Sequence, residues 1–223
     1  MPRVSARSLA SFTVAVLLLA SSTFALDMPL SDEAIREAYF LGQRNDASTQ
    51  RFLDKYRQHL PAPETGPWIS AVELFTPYAE AVELSRQRTM GYSAQDATRD
   101  YRKLGDTLRV TVTVDFTPTY GYAIEQQAAD RSSGTNGYIL RSPDFWQDFS
   151  YRLFDGDTEI EPLDLHGHAN YAPSDPGSSV MTGATIVMTF DATKIQNLSD
   201  VAVVVDTPDG QQVVAPYDLA SLR

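Results

Sequence analysis

The residues with the widest chemical latitude in this 223-residue chain are two histidines spaced two apart. In Asp164-Leu165-His166-Gly167-His168, an extended backbone would point both imidazoles the same way, so both could reach one divalent ion. Asp164 or Asp175 could complete such a site, although no third ligand is fixed by spacing. The plainer expectation is two solvated histidines in a loop. Asp155-Gly156-Asp157 could be half of a calcium loop, but it lacks the ladder of oxygen ligands, and a hairpin turn accounts for it. The chain has 29 carboxylates, so acid pairs arise by composition alone, and glycosidase geometry is not set by sequence spacing. It has no Gly-x-Ser-x-Gly elbow and no glycine-rich phosphate loop. No catalytic residue is assigned and no cofactor is implied. A secreted hydrolase or metal-dependent enzyme, if there is one, would use the Asp/His-rich loops near 155–175.

A second set of candidates is aromatic. Tyr120, Tyr122, Tyr138 and Trp146 fall in or beside loops of the C-terminal half, and Trp146 sits on the polar side of an alternation with Phe145 and Phe149. Exposed rings of this kind offer flat faces to a sugar or a peptide. The competing expectation is that Trp146 caps the open end of the sandwich or packs beneath the helical segment. The expected function is a non-enzymatic binding or assembly module, its ligand a protein or a carbohydrate.

The elements that must position these residues change character near residue 105. Ser31 before Asp32 and Glu33 caps a helix over about 32–42, with Ile35, Ala38 and Tyr39 on one side. Asp46 opens a second, whose stripe of Phe52, Leu53, Tyr56 and Leu60 runs up to Pro61. A strand is expected at Trp68–Phe75 and a helix at Tyr78–Arg88. Another helix begins at the Ser93/Asp96 capping box and ends at Gly105. From Thr107 the period becomes two: Leu108, Val110, Val112, Val114 and Phe116 alternate with polar residues. The same alternation predicts strands at 145–153, Thr158–Leu163, 184–190, 201–205 and 211–215, with a long loop over 167–183. The expected fold class is α+β, with an N-terminal helical segment (26–105) packed on an antiparallel β-sandwich (106–223) of immunoglobulin-like architecture.

Residues 1–25 read as a signal peptide. Arg3 and Arg7 precede the apolar run 10–20, and Thr23-Phe24-Ala25 fits the small-x-small cleavage pattern. The run is short of the roughly 20 residues a spanning helix needs, so the mature chain is expected to have no membrane span and to be periplasmic or secreted. With no cysteine, disulfides, thiolate metal sites and lipoprotein anchoring are excluded. The formal charge of −11 is unevenly spread: residues 106–223 hold 6 basic and 17 acidic side chains. That half would repel a phosphate backbone, so nucleic acid is not an expected partner.

Several segments are similar to stretches of uncharacterised exported bacterial proteins: Ala38-Tyr-Phe-Leu-Gly42, Phe75-Thr-Pro-Tyr78, Gly91-Tyr-Ser93 and Asp115-Phe-Thr-Pro-Thr-Tyr-Gly121. The resemblance covers residues 31–121. It implies export and a shared fold, and it carries no activity or catalytic residues.

Overall fold

The computed structural model describes residues 28–88, 90–126, 137–174 and 177–223. The expected signal peptide and Asp175 lie outside the described residues.

Among the described residues, four α-helices form where the capping residues place them. Helix α1 (Asp32–Arg44) is capped by Ser31, whose hydroxyl accepts from the Ala34 N–H at 3.1 Å. It buries Ala34, Ile35, Ala38 and Gly42. A Cβ on Gly42 would lie 2.7 Å from Ser85 Cβ, so the absent side chain permits the close crossing with α3 (Pro77–Gln87). Helix α4 (Ala94–Leu104) has the expected Ser93/Asp96 capping box and stops at Gly105, where φ is +74°.

Helix α2 (Ala47–Leu53) is shorter than its stripe implied. A 3₁₀ turn over Asp54–Tyr56 follows, and residues 57–60 are not helical. Arg57–His59 instead forms strand β1, antiparallel to β2 (Trp68–Phe75). The Tyr56 ring is fully buried and its hydroxyl donates to the Arg223 carbonyl at 3.1 Å. Pairing and burial outweigh the helical periodicity here.

The remaining strands are β3 (Thr107–Asp115), β4 (Ala123–Gln126), β5 (Gly137–Leu140), β6 (Ser150–Asp155), β7 (Thr158–Ile160), β8 (Asp164–Pro173), β9 (Ser179–Asp191), β10 (Asp200–Asp206) and β11 (Gln212–Asp218). All pairings are antiparallel. One sheet has the order β1-β2-β3-β9-β8, a second β11-β10-β6-β7, and β4-β5 is a separate ribbon. The expected loop over 167–183 is therefore mostly a hairpin, β8 turning into β9. The strand expected from residue 145 begins at Ser150, because Phe145–Asp148 is a 3₁₀ turn. β7 ends at Ile160, not Leu163.

Both larger sheets contribute to one buried cluster. Val72, Leu74, Val110, Val112, Ile186 and Met188 from the first meet Leu153, Val203, Val205, Ala215 and Tyr217 from the second. Tyr217 links them directly, its hydroxyl donating to the Val72 carbonyl at 2.7 Å. The helices join the same cluster through Ile35, Tyr78 and Val82. Arg109 of β3 lies 3.1 Å from Glu80 of α3 and 5.0 Å over the Phe75 ring. Each fully buried Leu, Ile or Val contributes about 1.5–3 kcal/mol. The opposite face of the five-stranded sheet carries Glu73, Thr111, Thr113, Thr185 and Thr189 and stays partly open.

Candidate functional site

A groove of about 540 Å³ lies between the base of the β4-β5 ribbon and the β8–β9 turn. The ribbon side supplies Tyr122, Leu140, Arg141, Ser142 and Pro143. The turn side supplies Tyr171, Ser174, Ser178, Ser179, Val180 and Met181. Tyr122 is 42% exposed and Tyr171 55%, so two phenol rings open to solvent across the groove.

Arg141 is fixed before any ligand arrives. Its Nε donates to the Gly121 carbonyl at 3.0 Å, and its guanidinium lies 3.7 Å from the centroid of the Tyr120 ring. Phe116 and Phe145 lie beneath the same group at 5.9 Å. Burial pushes the Tyr120 phenol above its ordinary pKa, so it stays neutral under the cation. A guanidinium held over an aromatic layer loses little side-chain entropy when it binds. The described lining contains no carboxylate and no histidine.

Other hollows are less suited. One beneath α3 and α4 has about 10 Å³, room for a single water. A hollow of about 580 Å³ between α1 and α4 is lined by Arg36, Arg99, Arg102 and Lys103. There Arg99 already pairs with Asp96 at 2.6 Å, and Arg102 with Asp32 at 3.1 Å.

The four expected aromatic residues separate. Tyr122 lines the groove, and Tyr120 lies under Arg141. Tyr138 is 71% exposed on β5, opposite Glu125 and away from the lining. Trp146 is only 8% exposed and offers no free ring. The 3₁₀ turn removes the alternation that pointed it outward, so Phe145 and Trp146 are both buried. The Trp146 ring lies against Gly167 of β8, where a Cβ would come within 2.7 Å of it.

The histidines lie on strand β8 and not in a loop. His166 and His168 share one face, as their spacing requires, and face Val187 and Thr185 of β9. Asp164 joins them there, its Oδ2 2.8 Å from His166 Nδ1. Among the described residues no three His, Asp or Glu side chains are grouped to hold an ion. Asp175 lies outside the described residues.

Sequence reasoning missed Tyr171 and Arg141. Tyr171 was legible: Leu165, Gly167, Ala169 and Tyr171 alternate with Asp164, His166, His168 and Asn170, a strand pattern masked by glycine and alanine in apolar places. Arg141 has no comparable signal, since its stacking partner Tyr120 is 21 residues away in the chain.

No known protein family matches the chain, and a search of curated proteins finds no significant relative.

Proposed function

We propose that the chain is an exported, non-enzymatic binding module whose groove takes a neutral, hydroxyl-rich ligand of the carbohydrate class. The observation that carries this is the pair of open phenol rings, Tyr122 and Tyr171, around serine hydroxyls and a pre-placed guanidinium. Aromatic faces stack on the C–H face of a sugar ring, and hydroxyls with a fixed guanidinium satisfy its oxygens. The lack of paired carboxylates in the described lining favours binding over hydrolysis.

Strand order supports an immunoglobulin-like reading of the β part. Taking β2, β3, β6, β7, β8, β9, β10 and β11 as A, B, C, C′, D, E, F and G gives sheets A-B-E-D and G-F-C-C′. The groove then falls between the B–C connection and the D–E turn, where such folds carry binding loops on a rigid scaffold. The hallmark cysteines are absent.

A protein partner is the second reading. It is favoured by the β4-β5 ribbon, which exposes the cross-strand pair Ile124 and Ile139 together with Leu140. Apolar exposure on a two-stranded ribbon marks contact surfaces.

Titration calorimetry against a panel of neutral oligosaccharides tests the first reading. Tyr122→Ala should weaken binding about ten-fold, roughly 1.4 kcal/mol. Absence of binding across the panel, or an unchanged affinity in the variant, would overturn it.

A further inference from the structure

The two larger sheets have four edges, and three are blunted. β1 and β7 are three residues each, and β11 carries Pro216 in its interior. β8 is different: ten residues, Asp164–Pro173, with no Lys or Arg and with proline only at its last position. Among the described residues it pairs with β9 alone, on one side. Long edges without such guards are templates for pairing with another chain. Exposed apolar groups also cluster along this edge, with Leu163 just before it and Leu165 and Tyr171 on it.

The other face of the same strand carries His166, with 61% of its side chain exposed, and His168, also exposed. Asp164 accepts from Nδ1–H of His166, which leaves the Nε2 lone pair free for a metal. One chain supplies two imidazoles here, and a closed tetrahedral site needs four ligands.

We propose that β8 pairs antiparallel with β8 of a second copy, about a two-fold axis at Gly167, and that the four imidazoles so assembled hold one divalent transition-metal ion. This register puts His166 opposite His168 of the second copy, and His168 opposite its His166. Directly opposed Cβ atoms lie about 5 Å apart, and alternate residues along a strand about 7 Å. The four rings therefore stand at the corners of a small rectangle on one face. On the reverse face, Leu165 meets Ala169 of the second copy. Asp164 faces Asn170, so no like charges oppose each other. Four neutral nitrogen donors suit zinc, nickel or copper over calcium or magnesium. Edge pairing leaves the sheet faces uncovered, so the ion holds the dimer and its removal dissolves it.

Sedimentation velocity of the full chain tests this, with EDTA or with zinc chloride at one ion per two chains. The expected result is monomer in EDTA and dimer with zinc, binding one ion per dimer. His166→Ala and His168→Ala should each lose the zinc-dependent dimer with unchanged circular dichroism. His59→Ala, on strand β1 at the far edge of the same sheet, should keep it. A chain that stays monomeric in zinc, binds one ion per monomer, or dimerises equally with both histidines replaced would overturn the proposal. Tyr122→Ala, which disables the groove, should leave the dimer intact, so the two readings fail separately.

Discussion

Gly167→Ala is a small change whose cost follows from a single contact. The added methyl would lie 2.7, 2.8 and 3.0 Å from Cδ2, Cε2 and Cε3 of Trp146. Ordinary carbon contacts are near 3.5–4.0 Å. The indole cannot easily retreat: it is buried, and the carbonyl of its own residue accepts from the Tyr151 hydroxyl at 3.1 Å. Gly167 has no positive φ, so backbone strain plays no part. Overpacking of this kind costs about 1–3 kcal/mol. In a Trp146→Leu background the space is open, and the same substitution should instead stabilise by about 0.4–1 kcal/mol, because alanine restricts the unfolded chain. Urea unfolding of the four proteins, with a common m-value, measures the coupling. An equal cost of Gly167→Ala in both backgrounds would refute the packing argument.

Three further outcomes are expected. Removing Leu222 and Arg223 should cost about 2 kcal/mol or more by urea unfolding, because Leu222 is buried and the Arg223 backbone both accepts from and donates to the Tyr56 hydroxyl. Glu83 is held below its ordinary pKa of 4.5: burial pushes it up, but hydrogen bonds from Arg86 and Gln87 outweigh that. A depressed carboxyl stabilises at neutral pH and loses that contribution as pH falls, so Glu83→Gln should flatten the acid limb of a stability–pH curve below about pH 4.5. N-terminal sequencing of exported material should begin within two residues of Leu26, and recovery of Met1 would contradict export by cleavage.

The sequence by itself determined the helix caps and the strongest strand. Ser31, Ser93 and Gly105 act through bonds within a turn of themselves, and the alternation from Leu108 to Val114 has one buried face whatever its partners. The α+β class and the change of character near residue 105 follow from those local signals. Tertiary structure decided what local signals cannot encode. Arg57–His59 became a strand because β2 was available to pair with it, and Trp146 turned inward because a 3₁₀ turn broke its alternation over a glycine 21 residues away. The groove is the clearest case. Its rings and cation come from three separate segments, around 120, 141 and 171, and periodicity reports the faces of an element without the elements that face it.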